Sequence, residues 1–444
     1  MFKNIFSFSV FLKILLFVIW TALYGSLLKH HYEGGDNLQS VQKIAVTIAE
    51  IPRTAEELIK NIKKGKKINK PPILTKHKDK KRFEQFIENK RNALLVLPKY
   101  DHSLNRSIVD IIDLNNFEII HTYKHNINEM NDQVMNINEF QRLKIDNAPI
   151  RFVYQHPLLF EDGSLTGVGG PAYKIDFCSN LKWINDEERF HHSQMLDYEG
   201  NIWVGGEMNP KSKYVKEYSV KNFIDDSIIK INTDGKILFN KSVTEILIEN
   251  NLDDENIFHS GFDPIHLNDI EPVFNNTEYW KKGDVFISIR HQSAIIHYRP
   301  SSNEVINYLT GPFAQQHDVD IISDKEISIF NNNNVFVDNK HSEVVIYNFE
   351  TKKFRKLFNE QLQKKNFKTV SEGLSHVFKD GALLVDESNH ARIILLNNKG
   401  ETEWEFVNKN ENGDIGFVSW SRVIEDEIFI EKFKSLVKNK KCLN

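Results

Sequence analysis

From about Asn92 onward, short runs of apolar and β-branched residues alternate with polar turns. The turns include Asp162-Gly163, Glu199-Gly200-Asn201, Asp234-Gly235, Lys282-Gly283-Asp284, Asp380-Gly381 and Lys399-Gly400. Runs of this length, with a turn about every 8–12 residues, predict an all-β architecture. The runs group into six units, at 92–125, 150–186, 187–243, 262–310, 313–358 and 369–409. Several units open on a histidine and then reach an acidic or glycine turn. Thus His156-Pro-Leu-Leu-Phe-Glu-Asp-Gly resembles His376-Val-Phe-Lys-Asp-Gly, and His192-Ser-Gln-Met-Leu-Asp-Tyr-Glu-Gly runs in the same order. Self-similarity at a period of about 40–50 residues predicts a six-bladed β-propeller. Beyond the sixth unit, Phe417-Val-Ser-Trp-Ser-Arg422-Val-Ile and Ile428-Phe-Ile read as further strands. The last strand is expected to pair into the first blade, which closes the ring and removes an exposed edge.

The pattern before the repeat is different. Ile5 to Leu28 is apolar except for Ser7, Ser9 and Lys13. A bilayer takes about 20 such residues. Trp20 and Tyr24 suit its interfaces, and Lys13 can snorkel. A cleaved signal peptide competes with this reading, but Ala22-Leu23-Tyr24 puts a tyrosine where cleavage wants a small residue. An uncleaved signal anchor, that is, a single transmembrane helix, is therefore expected. Residues 40–62 carry apolar positions at helical spacing, interrupted by Pro52, and a basic run follows from Arg53 to Arg82. The expected organisation is an anchor at 1–30, a helical and basic stalk at 31–90, a propeller at 91–434 and a basic tail at 435–444.

Composition changes this picture little. Hydrophobic residues make up 40% of the 444 and charged residues 27%, enough for a packed core. The formal net charge of -4 gives no reason to expect nucleic acid as a partner. The two cysteines, Cys178 and Cys442, exclude a disulfide framework or a Cys-rich zinc site. They are read as two unpaired thiols, because Cys442 lies in a tail expected to be mobile; one bridge between them is the alternative.

Histidines that open several blades would converge on the central channel. His156, His192, His266, His317 and His376 hold that place. His156 and His376 are read as strand caps. The other three sit in richer surroundings. Phe190-His191-His192-Ser193 precedes Gly200-Asn201-Ile-Trp203. Asp263-Pro-Ile-His266-Leu-Asn268-Asp269 leads to Ser288-Ile-Arg290-His291. Gln315-Gln316-His317-Asp318 leads to Phe330-Asn331-Asn332. By strand alternation only one of His191 and His192 should face the channel. Alternation also puts Phe286, Ser288 and Arg290 on one face.

In their order and blade positions these three segments resemble the arylsulfotransferase family. The resemblance covers about residues 90 to 430. It implies transfer of a sulfuryl group from an aryl sulfate ester to a phenolic acceptor through a transient sulfo-histidine, with no cofactor. His317 would be the nucleophile, and Arg290, His266 and His192 would hold charge on the transferring group. His191, Asn268, Asp318 and Asn331 would support them, and Asp318 would either orient the His317 ring or cap the strand. The resemblance also favours an extracytoplasmic, periplasmic location, although the basic stalk taken alone points the other way. The chain departs from the family pattern in the Asn331-Asn332 pair, where an acidic residue is usual, and in an inserted loop from Phe274 to Lys282. No HExxH, P-loop or GxSxG motif is present. Three histidines could ligate a metal, but an arginine beside them argues for an anion, so no metal is expected. The competing reading is a membrane-anchored propeller that binds a sulfated or other anionic ligand without chemistry.

Overall fold

A computed structural model describes residues 13, 15–21, 23–25, 74–88, 91–135, 148–149, 152–215, 223–252, 263–333 and 341–442. The chain divides into a unit at 1–70 and a unit at 71–444. In the first, Lys13 and residues 15–21 and 23–25 are helical. The rest of the expected anchor, and the stalk helix at 40–62, lie outside the described residues. Among the described residues no helix is long and apolar enough to cross a membrane, so the expected transmembrane helix finds no support there.

The second unit is an all-β, propeller-like fold. A short strand, β1 (Phe83–Gln85), precedes the meander β2 (Leu94–Asp101), β3 (Arg106–Asp113) and β4 (Glu118–Tyr123). Next come β5 (Leu158–Leu159), β6 (Leu165–Val168), β7 (Gly170–Ile175), β8 (Leu181–Leu196), β9 (Ile202–Glu207), β10 (Asp226–Ile231) and β11 (Ile237–Ser242). Then follow β12 (Leu267–Pro272), β13 (Val285–Ile289), β14 (Ala294–Arg299) and β15 (Glu304–Thr310). After them come β16 (Val319–Ser323), β17 (Glu326–Asn331), β18 (Glu343–Asn348) and β19 (Lys353–Leu357). The last meander is β20 (Ser375–Val377), β21 (Leu383–Glu387), β22 (Arg392–Leu396) and β23 (Thr402–Val407), and β24 (Arg422–Ile424) completes the set.

These strands form five antiparallel sheets, where six separate blades were expected. The difference lies in β8, which is 16 residues long. Leu181–Asn185 pairs with β7, while Arg189–Leu196 pairs with β9, so one continuous strand joins two meanders into a seven-stranded sheet. As expected, β24 pairs with β2 and closes the chain onto its first sheet. By contrast, the expected strand at Ile428 is part of a helix. The α-helices of this unit among the described residues are α1 (Ile127–Asp132), α2 (Val243–Glu249), α3 (Asn359–Lys364) and α4 (Glu427–Asn439). Asp426 caps α4 by accepting the N–H of Phe429. Apolar residues at helical spacing, Ile430 and Phe433, then dock the helix against Phe177 and the first meander.

Beyond α4, Cys442 is bonded to Cys178. The reading of two free thiols on a mobile tail is thereby corrected. The docked helix carries Cys442 back to the β7–β8 turn, which sequence distance alone conceals. A basic segment is also drawn into the fold: β1 pairs with β23. Beside it His77 and Arg392 meet Glu387, all three buried.

Adjacent sheets are latched by aspartates that accept a backbone N–H from the next one. Asp226 takes Leu267 at 2.8 Å, Asp269 takes Val319 at 2.9 Å, Asp318 takes Ser375 at 3.0 Å and Asp386 takes Ser421 at 2.8 Å. A buried hydrogen bond of this kind contributes about 0.5–1.5 kcal/mol net. These latches fix the inner strands in angle and depth.

Candidate active site

The inner strands begin with a shared irregularity. His156, His192, His266, Gln315 and Glu372 all have positive φ, between 42° and 64°. Each stands where a meander opens. Left-handed backbone is uncommon for residues other than glycine and collects at functional sites. Here it turns side chains out of the sheet.

His191 and His192 show the consequence. Strand alternation predicts that only one faces the channel, but the register of β8 against β9 slips between His191 and Gln194. The two rings therefore meet, with the Nδ1 atoms 2.6 Å apart. Gln155 Oε1 accepts the His192 N–H and holds the kink. On its far side His191 faces Asp226, Nε2 to Oδ1 3.3 Å. Burial acts to lower the His191 pKa, but the Asp226 hydrogen bond and charge outweigh it and raise it. His192 is driven well down by burial and by its neighbours His191, His266, His317 and Arg290.

His192, His266, Arg290 and His317 gather in one place. The His192 ring centroid lies 5.3 Å from that of His266 and 5.8 Å from that of Trp420. Trp420 also stands edge-on to His317 at 5.8 Å and to His156 at 6.0 Å. His266 donates from Nδ1 to Asp263 Oδ2 at 2.7 Å, which leaves Nε2 toward the cluster. Arg290 follows β13 directly, its N–H bonded to the His266 carbonyl. Its Nη2 donates to Gln315 Oε1 at 3.0 Å and its Nη1 to His291 Nε2 at 2.8 Å, while Nε is buried without a partner. Burial lowers the Arg290 pKa from its very high ordinary value.

His317 is the most enclosed member, 2% exposed. Asn332 Oδ1 lies 2.6 Å from its Nδ1. The Asn332 amide is fixed in orientation, because its Nδ2 donates to the carbonyls of Thr369 and Glu372. Oδ1 must therefore accept, and His317 carries its proton on Nδ1. Nε2 in turn accepts the Glu372 N–H at 2.8 Å. Burial, together with the charges of Arg290 and His266, pushes the His317 pKa down to about 3. The ring is neutral at any ordinary pH.

The supporting residues divide. Asn332, not Asp318, orients His317, and Asp318 latches Ser375. Asn268 donates to the Gln316 carbonyl and steadies the segment before His317. Asn331 binds Ala314 N–H and Glu343 and has no contact with the histidines. His156 bonds the Ser193 side-chain Oγ, where the cap reading expected backbone. Reading by motif missed Asp263, Gln155, Gln315, Asn332, Glu372 and Trp420. Asp263 had a signal, three residues before His266 in one turn. Trp420 lies in the closing segment, and only ring closure brings it to the histidines.

Asp263, His266 and His291 are the group among the described residues whose ligand atoms lie close enough for a metal, within 4.8 Å of one another. Their hydrogen bonds work against that use. Arg290 can only donate, so His291 Nε2 accepts, and its Nδ1 carries the proton it gives to the Asp263 carbonyl. The lone pair a metal would take is absent.

A cluster of histidines beside a fixed guanidinium is suited to an anion. Residues 158–409, more than half of the chain, match the family model described as Arylsulfotransferase (ASST). The chain belongs to the arylsulfotransferase family. The matched span contains His192, His266, Arg290 and His317 and ends before Trp420. No curated protein matches the chain. Among solved structures it is similar to a protein of unknown function from Bacteroides caccae, at 12% identity and a TM-score of 0.47, covering 75% of this chain and 99% of that one. It is similar to TolB from Acinetobacter baumannii at 10% identity and a TM-score of 0.41, covering 76% and 68%. A streptogramin B lyase follows at 12% identity and a TM-score of 0.35, covering 56% and 67%. Likenesses at this level carry no argument about function.

Proposed function

We propose that this arylsulfotransferase-family chain moves a sulfuryl group from an aryl sulfate ester to a phenolic acceptor through a sulfo-histidine on His317. The observation that carries the reading is the pair of hydrogen bonds that fixes the His317 ring, Nδ1 to Asn332 and Nε2 to the Glu372 N–H. Asn332 holds the proton on Nδ1, so the lone pair is on Nε2, and burial keeps the ring neutral. A neutral imidazole with a defined lone pair is the form that attacks. In the first step Nε2 bonds to sulfur while the bond between sulfur and the aryl oxygen breaks, and the phenolate leaves. In the second step the acceptor oxygen bonds to sulfur and the N–S bond breaks. Arg290 stabilises the equatorial oxygens, because its charge is fixed and its fork matches paired oxygens. His266, oriented by Asp263, gives a proton to the leaving phenolate and takes one from the acceptor, while His192, kept neutral by burial, packs beside it.

Attack requires one local change. The Nε2 lone pair is held by the Glu372 N–H, so the turn around Glu372 must swing aside when the donor enters. That same contact favours the second reading, an anion-binding propeller without chemistry. Turnover of a chromogenic aryl sulfate with phenol separates the two. Transfer that is lost in His317→Asn supports the enzyme. Wild-type protein that is inert across aryl sulfates and phenols, yet still binds them, supports the binder.

We further read the seven-stranded sheet as two blades that share β8, giving six blades in all. An oxidising, extracytoplasmic compartment is in keeping with the Cys178–Cys442 bridge.

A further inference from the structure

The segment that closes the ring carries Trp420 into the channel, 2% exposed. Each of the residues around it is tied to a different sheet. Ser419 gives its N–H to the carbonyl of Pro98 in β2. Ser421 gives its N–H and its Oγ to Asp386 in β21, at 2.8 and 3.0 Å. Arg422 gives Nε to the carbonyl of Pro157 and Nη2 to those of His156 and Gln194, beside β5 and in β8. Pairing of β24 with β2 already closes the ring. The additional bonds therefore fix the place and the tilt of Trp420.

The indole lies edge-on or tilted against three histidines. Its centroid is 5.8 Å from that of His192, 5.8 Å from that of His317 and 6.0 Å from that of His156. His192 and His317 make no ring contact with each other among the described residues, so Trp420 is the ring they share. On the other side, His156, Ser421 and Arg422 line a cavity of about 230 Å³ with Glu271, Asp318 and Asp320. The charge of Arg422 acts on all three carboxylates, so this is a polar space. His156 at its rim packs on the indole. His317, on another edge of the same indole, does not line the cavity.

We propose that Trp420 is a positioning residue for sulfuryl transfer, keeping the His317 ring apart from His192 and sealing it from the polar cavity, a role that rests on His317 being the sulfuryl carrier. Two hydrogen bonds hold that ring, from Nδ1 to Asn332 and from the Glu372 N–H to Nε2. Both act along the plane of the imidazole, so neither resists a tilt about the line that joins them. An aromatic edge packed against the ring does resist it. Attack on sulfur frees Nε2 from Glu372, and Asn332 and Trp420 then keep the ring aimed. The seal protects the lone pair. Burial is the first cause of the low His317 pKa, and the charges of Arg290 and His266 add to it against the Asn332 hydrogen bond. His192, Asp318 and Glu372 complete the titratable groups around the ring. Water admitted where the indole stands would favour the charged ring and raise its pKa toward about 6.5. A charged ring has no lone pair to offer.

Trp420→Leu keeps the position apolar and opens space beside His317. The full-length variant and the wild type are treated with diethyl pyrocarbonate, which acylates accessible neutral imidazole, and the His317 peptide is followed by mass spectrometry. Labelling should be at least about tenfold faster in the variant, while the His121 peptide labels at the same rate in both. The kcat for transfer from an aryl sulfate to phenol should fall about tenfold at neutral pH with KM little changed, and an acid limb should appear between about pH 4 and pH 6.5. Trp420→Phe should keep most of the wild-type rate. Trp420→Met, which fills more of the space, takes the place of leucine if circular dichroism shows that leucine does not fold. A folded leucine or methionine variant with wild-type labelling of His317 and an unmoved pH profile would overturn the proposal and leave Trp420 as packing. Labelling needs no turnover. Faster labelling beside an inert wild type would uphold the seal and sink the transfer reading alone, whereas unchanged labelling beside an active wild type would sink the seal alone.

Discussion

His317 is controlled by one amide and one peptide N–H, and each has its own consequence. Asn332→Ala removes the acceptor that keeps the proton on Nδ1. Transfer should fall about 100-fold while KM changes little, as expected when a group that presets a reacting form is lost. Asn332→Asp keeps an acceptor and should retain more activity than alanine. Because the His317 pKa lies at about 3, the ring should not lose its lone pair by protonation anywhere above roughly pH 4. The acidic limb of a kcat profile should therefore report other groups, and a limb that follows His317 protonation near pH 6.5 would contradict this. Arg290→Lys keeps the charge and loses the fork that reaches Gln315. A loss of about 10²–10³ in kcat is expected, against a near-normal rate if only charge matters. The sequence exposed the four central residues because each stands beside the opening of a strand. It concealed Asn332, Trp420 and Glu372, whose value depends on contacts made across the ring, 15 to 55 positions away for the two that touch His317.

The strands were legible because turn residues punctuate them, and the six units read from the chain overlay the meanders to within a few residues. The reading failed where local pattern and tertiary context disagree. Ile428-Phe-Ile has strand composition, but Asp426 caps a helix there and Phe433 finds a buried face. The bridge from Cys178 to Cys442 closes a loop of 264 residues. In the chain-entropy account a loop this long is worth about 5 kcal/mol. Cys442→Ser should lower stability by up to that amount and expose α4 to proteolysis before the sheets open. Equal protease resistance in variant and wild type would mean that α4 is held by packing alone. Glu387 offers a second check. Burial would raise its pKa, but the His77 hydrogen bond and the charges of Arg392 and Lys76 outweigh burial and hold it at about 2. A depressed carboxylate stabilises the fold above its unfolded pKa, about 4.5. That contribution is lost as pH falls toward 2. Glu387→Gln should cost up to about 3–5 kcal/mol, since it leaves buried Arg392 with only Glu405, at 3.8 Å, as a carboxylate partner, and should flatten the acid limb of stability.

At the scale of the molecule, the channel divides into a cationic mouth and an acidic floor. The mouth gathers His191, His192, His266, Arg290 and His317 and suits a sulfate ester. The floor gathers carboxylates whose folded pKa values are raised, Asp320 to about 6 and Asp269 to about 7, mainly by burial. A raised carboxylate favours the fold below its unfolded pKa, and the benefit is lost as pH rises through the folded one. Stability should accordingly decline between about pH 4 and pH 7, with Asp269, Glu271, Asp318, His376 and Arg422 all acting on Asp320. Asp320→Asn should reduce that slope. The central claim concerns the mouth, and one measurement reaches it directly. The protein is incubated with an aryl sulfate without acceptor, quenched at alkaline pH, digested and analysed by mass spectrometry. The account predicts one added sulfuryl group on the peptide that contains His317, removed when a phenol is supplied and absent in His317→Asn. Turnover with no modified histidine, or with the group on His192 or His266, would contradict it.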